Sequence, residues 1–195
     1  MRRSASAKSA MVGGKDVAKT TDYSRVQALL ELATARKVTS AEDLVQSIVR
    51  RSPPNFVFHR WDREKGEVVG YCSETSVRKT LALASDLGLV DGESGALTTD
   101  GTEASDPDRF SNVVRKRIQA YLNRVGCPIH TIGDACLQML KRKNVILPTS
   151  DELYVEICVP RGIDLDSSRF RTLLRLLAQC DGLRISRRHI FLPSI

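Results

Sequence analysis

The stretch LALASDLGLVDGESGALTTDG, residues 81–101, decides the fold class of this chain. It begins with the apolar end of an amphipathic helix, and Gly88 is a typical residue for ending that helix. Two short β-prone segments follow, over 89–91 and 96–100, with a glycine-bounded turn between them. The stretch therefore predicts a helix followed directly by a small β-hairpin.

The residues before this stretch predict three helices and a larger hairpin. Apolar side chains at helical spacing predict the first helix over 23–37. Ser40, with an acid three residues later, predicts the start of a second helix, which the prolines in 52–54 end. Residues 55–72 contain β-formers on both sides of the turn DREKG, and Ser73 predicts the start of the third helix.

The second half of the chain predicts a similar order of elements. Helices are expected over 109–126, over 131–144 with Thr131 as N-cap, and over 166–182. Residues 145–160 are apolar and β-prone with a polar turn inside, and 183–193 predict a last hairpin. Laid over each other, the two halves indicate an internal repeat of about 92 residues.

At this point the chain resembles the winged-helix variant of the helix-turn-helix. Bacterial winged-helix regulators commonly show L-G-L-V, then a glycine turn and L-T-x-x-G. The residues that occupy this pattern are Leu83, Leu87, Gly88, Leu89, Val90, Leu97, Thr98 and Gly101. The resemblance implies an α+β, helix-rich fold of two tandem winged-helix domains, over 21–105 and 109–195. Residues 1–20 precede them as a basic tail with too little apolar content to fold.

The resemblance leaves two uses of the fold open, because a fold does not decide function. One is DNA binding, most commonly in transcriptional regulation. The other is protein binding, as in the small winged-helix partners of chromosome-organising SMC complexes.

Charge is unevenly distributed along the chain. The net charge of +7 divides into +4 over 1–20, −5 over 21–108 and +8 over 109–195. Basic groups must neutralise DNA phosphates, whereas carboxylates repel them. The two halves are therefore expected to have different partners, with DNA favoured by the second half.

The candidate DNA-contacting residues of the second unit lie on its last helix and in the following hairpin. With Phe170, Leu173 and Leu177 facing inward, the 100° helical step turns a polar set outward. That outward set comprises Ser168, Arg171, Thr172, Arg175 and Gln179, and the hairpin adds Arg184, Arg187 and Arg188. Arginine and glutamine suit base edges, and hydroxyls suit phosphates. The alternative interpretation is a solvated charged face.

In the first unit, Arg78 and Lys79 on the third helix are the candidate phosphate contacts. The following hairpin carries Asp91, Glu93 and Asp100, which disfavour DNA there. A surface for a protein partner or for self-association is the competing expectation for this unit.

The sequence lacks the patterns that would indicate an enzyme, a cofactor or a metal. No complete phosphate-binding glycine loop, G-x-S-x-G or H-E-x-x-H motif occurs, so catalysis and cofactors are not expected. Cys127, His130 and Cys136 match no standard zinc spacing. Five cysteines without a C-x-x-C pair fit a reducing, cytoplasmic setting, and no apolar run approaches the roughly 20 residues of a membrane span. A non-enzymatic DNA-binding regulator is the favoured expectation, with a winged-helix scaffold or adaptor as the alternative.

Overall fold

The computed structural model describes residues 22–35, 39–143 and 148–180. The helices and strands among these residues are α1 (Asp22–Thr34), α2 (Ala41–Arg51), β1 (Val57–Asp62), β2 (Glu67–Cys72), α3 (Glu74–Asp86), α4 (Thr99–Ala104), α5 (Pro107–Arg124), α6 (Ile129–Lys143), α7 (Ser150–Arg161) and α8 (Ser167–Cys180). One short 3-10 turn, Pro54–Phe56, precedes β1. The described chain is therefore helix-rich with one small antiparallel sheet, as the coarse α+β expectation requires.

The helix starts predicted from capping residues are confirmed for α2 and α3. The Ser40 side chain accepts a hydrogen bond from the backbone amide of Asp43, and Ser73 does the same for Ser76. Each bond satisfies one amide that the first helical turn leaves without a partner. The inward face of α3 has the spacing of an amphipathic helix, with Val77, Thr80, Leu81 and Ala84 all buried.

The larger hairpin is confirmed as an antiparallel pair of six-residue strands, β1 and β2. The register places Phe58 opposite Tyr71 and Trp61 opposite Val68. Asp62 closes the turn, since its Oδ1 accepts the backbone amides of Glu64 and Lys65.

The smaller hairpin after α3 is present only as a single bridge, and the prediction of a second strand over 96–100 is wrong. Val90 pairs with Leu97, and α4 begins at Thr99. The Thr98 side chain accepts the amide of Gly101, so Thr98 serves as the N-cap of α4. The segment turns into a helix because this cap outweighs the β preference of its threonines.

The strand prediction over 145–160 is wrong for residues 150–160, which lie in helix α7, whereas residues 145–147 lie outside the described part of the chain. Thr149 and Glu152 form a capping box in which each side chain accepts the other residue's backbone amide. Leu153 and Ile157, four residues apart, are buried on one face of the helix. Helical spacing and the capping box together outweigh the β-branched content.

The N-cap predicted at Thr131 is corrected as well, since α6 starts two residues earlier, at Ile129. The amide of Thr131 donates to the Pro128 carbonyl, as in a first helical turn. The helix therefore takes its entry from Pro128, whose fixed φ suits a helix start.

The two halves form a continuous hydrophobic core in which α8 lies at the centre. It packs against α1 from the first half and against α5 and α7 from the second. Phe56, Phe110 and Phe170 are fully buried in this core. The second half places a helix, α7, where the first half has the β1–β2 hairpin, so the predicted repeat is not preserved at this element.

Candidate nucleic-acid interface

A cavity of about 330 Å³ lies where α1, α3 and the first turns of α8 meet, and we call it the α3–α8 cavity. Its lining carries cationic groups, hydroxyls and two carboxylates. The polar and charged residues are Asp22, Arg25, Ser76, Lys79, Thr80, Asp166, Ser168, Arg169 and Thr172. Three predicted contact residues, Lys79, Ser168 and Thr172, thus come from two helices to one site.

The local structure of each helix explains this convergence. On α8, the Asp166 carboxylate accepts the amide of Arg169 and fixes the first turn. Phe170 and Leu174 are buried, so Ser168 and Thr172, four residues apart, lie together on another side of the helix. On α3, Thr80 faces the core and is buried, whereas the preceding residue, Lys79, is exposed beside the cavity.

The charges of the α3–α8 cavity are partly neutralised within the protein. Arg169 forms an ion pair with Asp86 at 2.5 Å, and Arg25 lies 3.8 Å from Asp22. Lys79 forms no ion pair with another residue that the structure describes. The lysine and the two hydroxyls are groups that can bind a phosphate oxygen, whereas the N-terminal end of α8 is already capped by the Asp166 carboxylate.

The other outward residues predicted on α8 do not reach this cavity. Arg171 pairs with Asp151 of α7 at 2.7 Å, and its buried Nε has no hydrogen-bond partner among the described residues. Arg175 and Gln179 are partly buried, and no residue in the described part of the chain donates to Gln179 Oε1. The expectation of one open polar face fails because α7 covers part of it.

Arg78, the second predicted contact on α3, is engaged by two carboxylates. Its guanidinium lies 2.7 Å from Glu42 and 2.7 Å from Glu74. Hydrogen bonds from Gln46 and Arg78 lower the pKa of the Glu42 carboxyl, and those to Glu74 and Glu42 raise the pKa of Arg78. Arg78 is therefore charged, and it is already paired with Glu42 of α2 and Glu74 of α3.

The predicted contacts Arg184, Arg187 and Arg188 and the predicted last hairpin lie outside the described residues. The site is therefore described without these three arginines.

Sequence reasoning missed a group of arginines that connect the two halves. Arg117 Nε on α5 donates to the Leu87 carbonyl at 2.6 Å, and its Nη1 lies 3.1 Å from Asp100. Arg124 Nη2 donates to the Asp86 carbonyl at 3.2 Å. The signal was present as a charge pattern, because the acidic segment after α3 is followed by the basic α5.

The residues weighed for metal binding are not gathered into a site. Among the described residues, no three histidine, cysteine or acidic side chains are grouped as metal ligands. Cys127 is fully buried near Cys158, and burial raises the pKa of the Cys127 thiol to about 12 and that of Cys136 to about 11. Both thiols are therefore protonated near neutral pH, which is the unreactive form.

No protein-family model matches the chain, and no curated protein or solved structure is significantly similar to it. None of the described helices is long and apolar enough to cross a bilayer. The side chains and their geometry are therefore the basis of any functional proposal.

Proposed function

We propose that this chain is a non-enzymatic DNA-binding protein that contacts duplex phosphates at the α3–α8 cavity. The observation that carries the proposal is the meeting of Lys79, Ser168 and Thr172, from two helices, at one cavity. A lysine and two hydroxyls match the groups that position proteins on a phosphate backbone. Transcriptional regulation is the use that the winged-helix resemblance favours.

The proposal includes an architecture of two tandem winged-helix domains, over 21–105 and 109–195. It is supported in the first unit by the order α1, α2, α3 followed by the Val90–Leu97 bridge. In this arrangement α8 approaches the DNA with its N-terminal end, since its sides pack against α1, α5 and α7. Arg184, Arg187 and Arg188 follow the opposite end of α8, about 20 Å away along the helix, and as proposed contacts they would meet phosphates further along the duplex.

The first test is duplex binding across a salt series, measured by fluorescence anisotropy with a labelled random duplex. The plot of log K against log salt has a negative slope, and removing one phosphate contact makes that slope shallower by about 0.9. Lys79→Ala is therefore expected to weaken binding and to make the slope shallower by about 0.9. Lys65→Ala, an exposed lysine in the β1–β2 turn, is the matched control and should behave as wild type.

A second variant tests the arginines beyond α8. The double variant Arg187→Ala, Arg188→Ala should make the slope shallower by about 1.8 if both arginines meet phosphates. The absence of binding by the wild-type chain at low salt would refute DNA binding. An equal loss in Lys79→Ala and Lys65→Ala would refute the α3–α8 cavity as the contact site.

A scaffold or adaptor subunit that binds proteins is the second candidate function. It is favoured by the exposed apolar side chains of the β1–β2 hairpin, among them Trp61 and Val68. It is also favoured by the internal use of Arg117, Arg124 and Arg169, which reduces the basic surface free for DNA. A chain that binds no duplex at low salt would make this the leading function.

A further inference from the structure

The β1–β2 hairpin exposes apolar side chains that a folded domain usually covers. Trp61 is 62% exposed and Val68 is 59% exposed, and the two lie directly opposite each other in the sheet. Tyr71 is 43% exposed on the other face. Half of the six large apolar side chains exposed in the described part of the chain lie on this hairpin. Such clustering marks an interaction surface.

The base of the hairpin is fixed to the helices, so this exposure has a defined geometry. Phe56, just before β1, is fully buried, and the Arg25 guanidinium of α1 stacks on the Phe58 ring at 4.8 Å. At the end of β2, Cys72 Sγ lies 4.0 Å from the Ile48 carbonyl of α2. The hairpin therefore holds its outer half, with Trp61 and Val68, away from the core.

The hairpin combines an open strand edge with balanced charge. Within the described residues its sheet contains β1 and β2 alone, and an isolated pair of strands is only marginally stable in water. Unpaired strand edges are sites where another chain can add a strand. The charges cancel, with Arg60, Arg63 and Lys65 against Asp62, Glu64 and Glu67. This balance gives a polyanion such as DNA no electrostatic preference for the hairpin.

We propose that β1 is a self-association edge, which pairs antiparallel with β1 of a second copy of this chain about a two-fold axis at Trp61. In that register Arg60 of each copy lies opposite Asp62 of the other, because these residues flank Trp61 on either side. Directly opposed side chains in antiparallel strands are about 5 Å apart, within reach of an ion pair. The two tryptophans meet on the other face, beside Val68.

The two charged side chains start from different positions. Arg60 lies over the ring of Tyr71 on β2 at 5.2 Å, so its guanidinium has to turn toward the open edge of β1 on association. Asp62 uses Oδ1 for the backbone amides of Glu64 and Lys65, and its Oδ2 has no partner among the residues that the structure describes. Association therefore includes the cost of reordering Arg60, whereas Asp62 is already fixed by the turn. The inference does not rest on the proposed DNA binding.

The full chain reports on its own association, because Trp61 is its only tryptophan. Sedimentation velocity from low to high micromolar concentration should show a monomer–dimer equilibrium. The emission of Trp61 should shift to the blue over the same range, as the indole leaves water. A monomer at every concentration, or a dimer in which the emission does not shift, would overturn the proposal. A monomer whose emission shifts when duplex DNA is added would assign the surface to nucleic acid instead.

Charge exchange tests the register itself. Arg60→Asp alone, or Asp62→Arg alone, places like charges opposite each other twice and should weaken the dimer about tenfold or more. An equimolar mixture of the two variants should restore a dimer, since each acid then meets an arginine. Lys65→Asp carries the same change of charge in the turn and should dimerise as wild type.

The rescue separates a lost register from a lost hairpin. Failure of the mixture, with native circular dichroism in both variants, would overturn the proposed register. Unchanged dimerisation of either single variant would overturn it as well.

Discussion

Gly101 offers a direct test of why the L-T-x-x-G pattern follows the turn after α3. It is buried in the first turn of α4, and a Cβ added there would overlap the backbone carbonyl oxygen of Leu89. The same carbonyl accepts hydrogen bonds from the Thr98 amide at 3.1 Å and the Thr98 hydroxyl at 3.2 Å. The hydroxyl shares its one proton with the Gly88 carbonyl at 2.8 Å, so the Thr98 amide is the main bond to the Leu89 oxygen. A backbone atom held in this way cannot move aside cheaply, so Gly101→Ala is expected to push α4 outward.

The size of the effect follows from opposing contributions. Alanine within a helix is normally favoured over glycine by about 1 kcal/mol. Overpacking a close contact costs about 1–3 kcal/mol, and each weakened hydrogen bond at Leu89 adds about 1 kcal/mol. The net loss of unfolding free energy in Gly101→Ala is therefore about 2–4 kcal/mol, opposite in sign to the helix preference.

Urea unfolding followed by far-ultraviolet circular dichroism measures this loss as a lower midpoint at an unchanged slope. Gly162→Ala is the matched control, since Gly162 has φ +57° but nothing within 4 Å of an added Cβ. It should lose only about 1 kcal/mol, the cost of the left-handed backbone for a residue with a side chain. A Gly101→Ala variant as stable as wild type would refute the close approach of α4 to Leu89.

Three further predictions concern stability. Thr149→Ala should cost about 1 kcal/mol in urea unfolding by removing the cap of α7, and no change would argue against the capping box. Arg117→Ala should cost about 1–2 kcal/mol because it frees the Leu87 carbonyl, whereas Lys116→Ala, its exposed neighbour, should stay within about 0.5 kcal/mol of wild type. The folded state raises the pKa of Cys127 from an ordinary value of 9.0 to about 12, so stability should fall as pH rises from 9 to 12. The stability of Cys127→Ala should fall less steeply over this pH range, and parallel profiles of stability against pH for the variant and the wild type would contradict the prediction.

The elements that sequence reasoning placed correctly are those with strong local signals. Ser40 and Ser73 cap the helices that they were expected to cap, because a capping bond involves residues only three apart. The β1–β2 hairpin follows from its β-formers and its polar turn, both local as well. Interactions between neighbours in the chain need no knowledge of the tertiary structure.

The errors over 150–160 and 96–100 share one cause, since β-branched content predicts a strand in segments where a capping residue starts a helix. The sequence already held the box of Thr149 and Glu152, and Thr98 stood three residues before Gly101. Leu153 and Ile157 also fit a helical period as well as they fit an apolar strand. Propensity is a weak guide in such segments, because caps and core contacts override it.

Helical periodicity could not tell which of the predicted residues of α8 would come together at one site. The 100° step separates the buried side of α8 from the rest but does not say which neighbour covers the rest. Ser168 and Thr172 lie at the cavity, whereas Arg171, on the same predicted face, pairs with Asp151. Only the position of α7, itself predicted as strand, distinguishes these outcomes.

The charge asymmetry of the chain has a physical explanation that composition alone does not provide. The basic second half places Arg169 against the Asp86 carboxylate at the end of α3, Arg124 against the Asp86 backbone carbonyl, and Arg117 against Asp100 of α4. Complementary charge between the halves therefore orients them, and these arginines are not free for phosphate. Net charge then overstates the basic surface that is exposed, and the proposed phosphate contact relies on Lys79 although that residue belongs to the acidic half. The proposed DNA-binding surface accordingly lies where the halves meet, rather than on the half with the higher net charge.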